Sequence, residues 1–284
     1  MTLALDAELA GLDALDTVRA GTDGRGRRVW AAAWPKLLAI ALALGLWQLV
    51  VWTDWKPDYV LPGPVPVLRR FATDLTTLDT WRALATTMRR AGVGFAMATA
   101  VGIGIGLAVS RSRVVRSGIG MLITGMQTMP SIAWFPLALV LFQLSEAAIL
   151  FVVVIGAAPS IANGVIAGID QVPPLFERAG RTLGATGWRS YRHVVLPAAL
   201  PSVVAGLKQG WAFAWRSLLA GELIVILADR PSIGVRMPFE RDFSDIVGLM
   251  SVMLLILVIG VVIDAAVFST IDRTLRRRRG LLVA

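Results

Sequence analysis

Six long apolar segments constrain this chain more than any other feature of its sequence. Each is about as long as the ~20 residues that a helix needs to cross the hydrocarbon core of a bilayer. They carry Leu, Ala and Gly throughout and show no period-two alternation, so we expect helices rather than barrel strands. Only 17% of the 284 residues are charged, against about 25% in a soluble domain. The sequence predicts an all-α membrane protein whose six spanning helices cover residues 31–52, 91–109, 119–142, 146–169, 200–227 and 246–268.

The basic residues indicate an orientation in the membrane rather than a nucleic-acid surface. The formal net charge is +9, but the arginines concentrate in four groups. All four groups fall on one side if both termini are cytoplasmic, as the positive-inside rule requires. We therefore expect no nucleic-acid partner. The groups are Arg25, Arg27 and Arg28; Arg111, Arg113 and Arg116; Arg178, Arg181, Arg189 and Arg192; and Arg273 with Arg276, Arg277, Arg278 and Arg279.

The composition divides the chain into three expected regions. These are a flexible cytosolic segment over 1–30, a membrane domain over 31–270 and a basic cytosolic tail over 271–284. Residues 1–24 are acidic and lack the basic start of a cleavable signal. The chain has no Cys, which excludes disulfides and thiolate metal sites. An amphipathic helix over 67–90 is expected at the membrane interface before the second span.

A glycine-rich run in the second apolar segment invites two interpretations. Gly102, Gly104 and Gly106 alternate with Ile, as in some nucleotide-binding loops. Such a loop lies between a strand and a helix, whereas this run lies inside a predicted helix with no strand before it. Small residues also let membrane helices approach closely, so we expect these glycines to serve packing.

A polar interruption at 170–197 separates the fourth and fifth apolar segments. A Pro-Pro pair ends the preceding span, and residues 175–183 suit a short helix with an apolar and a charged face. Gly184 and Gly187 allow a left-handed turn after that helix. A second amphipathic piece over 188–195 then leads to a Leu-Pro pair, which turns the chain back into the bilayer. On these residues alone, an ordinary loop with an interfacial helix is an equally good interpretation.

The spacing within this insert resembles a family signature. Four residues fit the end of the cytoplasmic motif of binding-protein-dependent ABC importer permeases (Glu-Ala-Ala, three residues, Gly, nine residues, Ile-x-Leu-Pro), namely Gly184, Val194, Leu196 and Pro197. The chain is similar to this family over roughly 60–270, and most of all to its aliphatic-sulfonate, taurine and nitrate branch. Further matching segments are Leu61–Pro64, Met126–Pro130 and Leu196–Pro201. The chain departs from the signature at the Glu-Ala-Ala positions, which hold Arg178, Ala179 and Gly180.

The resemblance implies a type I ABC importer transmembrane fold in the cell inner membrane. Besides membrane lipid, the implied partners are a second copy of the permease, two ATP-binding-cassette subunits and an extracytoplasmic solute-binding protein. ATP and Mg²⁺ would be bound by the ATPase, and this chain would hold no cofactor or metal and would not itself be an enzyme. In agreement, the sequence has no Gly-x-x-x-x-Gly-Lys-Ser/Thr loop. The insert would be the coupling helix that docks on the ATPase through Phe176, Glu177, Arg178, Ala179, Gly180, Arg181, Leu183, Gly184, Leu196 and Pro197.

The resemblance further implies a small anion as the solute, such as an aliphatic sulfonate, taurine or a nitrate-like ion. A neutral or cationic heterocycle, such as a vitamin precursor, is the alternative within the same machine. Transport would proceed by alternating access, with rigid-body rocking about Gly184 and Pro197. A proton-coupled carrier would need titratable groups paired across several spans. A membrane enzyme would need convergent His, Asp or Ser groups, and the one histidine, His193, lies in the insert.

The fifth apolar segment carries the candidate translocation path, because charges inside a bilayer mark functional sites by default. Five residues fall on one stripe at about 100° per residue, namely Lys208, Trp211, Trp215, Leu218 and Glu222. We expect this stripe to face the bundle interior and the subunit interface, where Lys208 and indole N–H groups would donate to an anion. Two alternatives stay open: Lys208 snorkels to the cytoplasmic edge, and Glu222 pairs structurally with a base on another helix. The remaining candidates are Gln127, Ser131 and Asn163, and Asp264 is expected to meet a terminal base or water.

Overall fold

A computed structural model describes residues 25–111, 113–227 and 230–278 of the chain. Every regular element in these residues is helical, which confirms the predicted all-α class. A 3₁₀ turn covers Ser131–Trp134, and π turns cover Tyr191–Val195 and Asp264–Phe268. The α-helices are α1 (Arg25–Trp52), α2 (Pro64–Asp74), α3 (Leu78–Arg111), α4 (Arg113–Thr128), α5 (Phe135–Phe142), α6 (Glu146–Asp170), α7 (Pro174–Thr182), α8 (Trp188–Ser190), α9 (Leu196–Ile224), α10 (Ile233–Asp242), α11 (Ile246–Ile263) and α12 (Ser269–Arg278).

The chain divides into two compact units, Met1–Pro64 and Val65–Ala284. In the first unit, the Trp47 indole Nε1 donates a hydrogen bond to the Pro62 carbonyl at 3.1 Å, which links α1 to the segment after it. The second unit holds α2, apart from its first residue, and the helices from α3 to α12. Residues 1–24 of the predicted flexible segment and 279–284 of the predicted tail lie outside the described residues.

By length and hydropathy, four helical segments in the described part of the chain could cross a membrane. They are Ala33–Trp52, Leu78–Arg111, Glu146–Asp170 and Ile246–Leu275. The predicted span 119–142 is broken into two pieces bent by 104°. The break lies at Met129 and Pro130, between the two pieces, and proline removes a backbone hydrogen-bond donor there. Counting that pair as one, five of the six predicted spans are supported.

The remaining predicted span, the fifth at 200–227, forms the long helix α9 but is not among the apolar candidates. Lys208, Gln209 and Arg216 interrupt its apolar sequence. Its 29 residues would still reach about 43 Å, which exceeds the ~30 Å hydrocarbon core. Its polar residues rather than its length therefore separate it from the other spans.

The predicted interfacial helix over 67–90 is not one element. It breaks after Asp74, and α3 then runs without interruption into the second span. Side chains stabilise the break: the Thr76 hydroxyl donates to the Thr73 carbonyl at 2.7 Å, and the Thr77 hydroxyl to the Asp74 carbonyl at 2.8 Å. Such local bonds compete with a continuing helix.

Helix α6 is the centre of the second unit and packs along both α3 and α9. The contacts are close because glycines face the neighbouring backbone. A Cβ built on Gly102 would lie 2.7 Å from the Ala158 carbonyl oxygen, and one on Gly206 would lie 2.6 Å from the Gly164 Cα. Small residues thus bring the backbones together, as predicted for the glycine-rich segment, although Gly104 faces open space.

We expect Gly206→Ala to destabilise the protein by about 1–3 kcal/mol, since the new methyl group meets backbone that cannot rotate away. Gly104→Ala is the matched control, because nothing lies within 4 Å of its Cβ position. That control should be neutral or stabilising by up to about 1 kcal/mol through helix propensity. Unfolding by SDS in mixed micelles measures both variants. Equal stabilities would contradict the close α6–α9 contact.

Candidate translocation groove and cytosolic docking segment

A groove of about 910 Å³ runs between α9 and α11. Its wall is mostly apolar, with an ion pair near one end. Three residues predicted for the path, Lys208, Trp211 and Trp215, line it together. The two indoles stack, with ring centroids 6.3 Å apart. Further lining residues are Leu219, Met253, Ile256, Leu257, Gly260 and Val261.

Lys208 forms an ion pair across this groove. Its Nζ lies 3.1 Å from the Asp264 Oδ2, and both side chains are about half exposed. Asp264 therefore meets a base of α9, where the sequence predicted a terminal base or water. Asp264 opens the π turn after α11, which brings it beside α9. The pair leaves Lys208 with little net charge to offer a solute.

Arg216 also lines the groove, although it lies outside the predicted stripe. Its Nε donates to the Ala212 carbonyl at 3.0 Å, and its guanidinium carbon lies 4.8 Å from the centroid of the Phe213 ring. Within the described residues no carboxylate lies within 4.0 Å of it. Arg216 follows Trp215 directly and so points about 100° away from it around the helix. A groove is wider than a single helical stripe, so both residues line it. The position of Arg216 eight residues after Lys208 was the available signal.

Glu222 does not line the groove. It is fully buried, and its carboxylate accepts from the Arg90 Nη1 at 3.0 Å and the Thr87 hydroxyl at 3.0 Å. The Gly234 amide donates to it at 3.1 Å. Among the described residues it therefore belongs to a structural ion pair, the alternative that the sequence left open.

Arg90 extends this ion pair to a second carboxylate. Its Nε donates to the Glu146 Oε1 at 2.9 Å, and the Arg89 Nη2 reaches the same oxygen at 2.6 Å. The other Glu146 oxygen accepts from Arg230. This buried charge network, as we call the contacts of Arg90, Glu146 and Glu222, fixes α3, α6 and α9 at one end of the bundle.

The other path candidates lie on α6 or against it. The Asn163 amide nitrogen donates to the Gln127 Oε1 at 3.2 Å and so links α6 to α4. A Cβ on Gly156 would lie 3.1 Å from that of Ser131, which begins the 3₁₀ turn. Asn163 also lines a smaller cavity of about 390 Å³ that includes Gln171. These three residues bridge helices and do not line the larger groove.

The insert forms a short helix as predicted, with α7 over Pro174–Thr182. Four large apolar side chains are exposed around it: Leu175, Phe176, Leu183 and Trp188. Glu177 and Arg181 pair across one turn at 3.6 Å. Arg178 and Ala179 are exposed, whereas Gly180 is buried against Val194. A Cβ on Gly180 would lie only 2.8 Å from the Val194 Cγ2, so the small residue lets α7 pack against the π turn.

The turn after α7 has the backbone that its glycines predict. Gly184 has φ +80° and Gly187 has φ +55°, a region that favours glycine. The predicted turn at Leu196–Pro197 is wrong, because the chain is helical from Trp188 to Ile224. Pro197 lies inside this helical run, just after the π turn, and such turns occur where the regular ladder of helix hydrogen bonds is interrupted.

A second cluster of charges joins α2, α10 and the start of α11. Arg70 contacts three carboxylates: Asp74 at 3.2 Å, Asp245 at 3.1 Å and Glu240 at 3.8 Å. Burial raises the pKa of Glu240, and the carboxylates of Asp245 and Asp74 add to that effect, while Arg70 and Arg236 oppose it. These contacts organise the end of the bundle that also carries the buried charge network.

Comparison with known proteins agrees with this arrangement. The chain is 32% identical over 181 residues to the aliphatic sulfonates transport permease protein SsuC of Escherichia coli, covering 64% of this chain and 69% of that protein. It is 25% identical over 200 residues to the nitrate import permease protein NrtB of Synechococcus elongatus, covering 67% and 71%. The fold is similar to that of a chain of the inward-facing MetNI methionine ABC transporter, with a TM-score of 0.58, 19% identity, and 69% and 96% covered.

A family model covers more than half of the chain. The model describes the inner membrane component of binding-protein-dependent transport systems and matches residues 100–277. The described helices have the type I importer fold of the solved structure. The chain therefore belongs to the inner membrane components of binding-protein-dependent transport systems, the permease subunits of ABC importers.

Proposed function

We propose that this permease imports a small oxyanion, of the sulfonate or nitrate kind, which a solute-binding protein delivers. Two similar proteins are named as permeases for aliphatic sulfonates and for nitrate. The observation that carries the proposal is Arg216, an exposed cation on the groove of α9 with no carboxylate within 4.0 Å among the described residues. A neutral or cationic heterocycle fits less well, because the charge without a carboxylate partner on this wall is positive.

The depth of Lys208 and Arg216 on α9 supports a path for solute. A hydrocarbon core of about 30 Å centred on the ~43 Å helix would leave about four residues beyond each end. Lys208 and Arg216 then lie within the core. A charge that faces lipid at such depth costs about 2.5–3.5 kcal/mol or more. We therefore infer that the groove faces a water-filled path, completed by a second copy of the permease.

The insert supplies the proposed contact with the ATPase, which is a separate subunit that binds ATP and Mg²⁺. An apolar group exposed at a loop suits burial in a partner's groove. The docking surface comprises the exposed residues around α7, with Gly184 forming its turn, and the adjoining Leu196 and Pro197. We place it, with both termini, on the cytoplasmic side. Closure of the ATPase dimer would move α7 and rock the helices as rigid bodies.

Transport in proteoliposomes tests this function. They would contain the permease and the ATPase of its own importer, with ATP inside and the binding protein outside. We expect ATP-dependent accumulation of ³⁵S-ethanesulfonate or ¹⁵N-nitrate. An ATPase without its phosphate-binding lysine is the control and should accumulate neither. Uptake driven by a pH gradient without ATP, or accumulation of a heterocycle alone, would overturn the proposal.

A further inference from the structure

We infer that Arg216, rather than Lys208, binds the anionic group of the solute, and that the groove accepts an organic anion with an apolar body. This inference rests on the proposed function and assigns the substrate class of the same groove. Both cations line the wall. They differ in what surrounds their charges.

The charge of Lys208 is already compensated. Its ammonium lies 3.1 Å from the Asp264 carboxylate, so a passing anion would meet a nearly neutral pair. Arg216 has no carboxylate within ion-pair distance in the described part of the chain. It lies eight residues further along α9, which corresponds to about 12 Å along the helix. The uncompensated positive charge of the groove is thus at Arg216.

The Arg216 guanidinium is also held in place. Its Nε donates to the Ala212 carbonyl at 3.0 Å, and its Cζ lies 4.8 Å from the centroid of the Phe213 ring. Neither terminal nitrogen has a hydrogen-bond partner among the described residues. Two parallel N–H groups on a fixed plane match the paired oxygens of a sulfonate or carboxylate. A flexible lysine ammonium offers no such pair.

The surrounding wall favours a solute that has carbon to bury. Trp215 and Leu219 flank Arg216 on α9, and Met253 and Leu257 face them from α11. Met253 is 54% exposed and Leu257 is 62% exposed. An alkyl chain that packs on these side chains is removed from water. Each methylene group buried in this way raises the affinity for the solute about fourfold. A bare inorganic oxyanion gains nothing from this wall.

Uptake by the complete importer tests the role of Arg216, with the same binding protein throughout so that any change arises in the permease. Arg216→Gln should lower ethanesulfonate uptake about tenfold or more, since a hydrogen bond to a charged group is lost. ATP hydrolysis stimulated by the loaded binding protein should stay near that of the parent. Arg216→Lys should recover part of the uptake. Arg82→Gln, which removes an exposed arginine from α3, is the matched control and should behave like the parent.

A second variant tests the apolar wall. Met253→Gln should lower the uptake of butanesulfonate relative to methanesulfonate by about fourfold. An unchanged ratio would overturn the assignment of an organic anion.

The role of Arg216 would be overturned by unchanged uptake in Arg216→Gln or by a parallel loss of uptake and hydrolysis. Loss of the permease dimer in that variant would instead assign Arg216 to contact with the second copy and would equally overturn it. If the parent importer itself accumulated no oxyanion, the proposed function would be wrong. That result differs from a failure of the Arg216 assignment, in which the parent still accumulates the oxyanion.

Discussion

Glu222→Gln is expected to destabilise the folded permease by about 3–5 kcal/mol. The substitution keeps the shape of the side chain but removes the charge that Arg90 faces at 3.0 Å. Arg90 and Glu222 are 2% and 0% exposed, so Arg90 would lose one of its two carboxylates inside the bundle. Removing one partner of a buried pair carries a cost of this size, because the charge of Arg90 is then balanced only by Glu146, which also binds Arg89 and Arg230.

The hydrogen bonds around the pair add to the effect. Thr87 and the Gly234 amide both donate to Glu222, and a glutamine can accept only through its single carbonyl oxygen. Its amide nitrogen would face either Arg90 or these donors. At least one buried donor therefore loses its partner, which is costly in a low-dielectric site.

SDS-induced unfolding in mixed micelles measures this prediction. Asp242→Asn is the matched control, because its pair with Arg241 is exposed, and surface pairs of this kind contribute about 0–1 kcal/mol. The double variant Arg90→Met, Glu222→Leu should be more stable than Glu222→Gln alone, since removing both charges removes the desolvation cost. A stability of Glu222→Gln equal to that of the control would refute the structural role of the pair.

The sequence predicted those parts of the fold that depend on local pattern. Long apolar segments identified the spans, and the prolines and glycines at 173–187 bounded the short helix α7, because helix length and turn conformation follow from neighbouring residues. The break at 129–130 was missed, since hydropathy alone does not distinguish a bent pair from one span. The hydrogen bonds by which Thr76 and Thr77 end α2 were likewise not indicated by the amphipathic pattern.

The candidate site was only partly predictable, because it depends on contacts that are distant in sequence. Lys208, Trp211 and Trp215 share one helix, so helical spacing placed them together. Glu222 is 132 residues from Arg90, and no local pattern indicates which base it meets. Asp264 likewise meets Lys208 only because α11 ends beside α9.

Leu183→Asp is expected to abolish ATP-driven uptake while leaving the fold of the permease intact. Leu183 is 87% exposed at the end of α7. A carboxylate at this position should therefore change the folding stability of the free permease very little. In the proposed complex the same side chain would be buried in the ATPase, where an unpaired carboxylate is strongly disfavoured. A central apolar anchor of an interface contributes about 2 kcal/mol or more, which corresponds to about a 30-fold loss of affinity.

Co-purification with the ATPase, uptake and SDS unfolding together measure this prediction. We expect loss of the ATPase and of uptake, with unchanged unfolding. Leu144→Asp is the matched control, because Leu144 is also exposed (63%) but lies between α5 and α6, away from the insert. If Leu183→Asp retained the ATPase as well as this control does, α7 would not be the docking element, because an exposed loop tolerates a new charge only when nothing covers it.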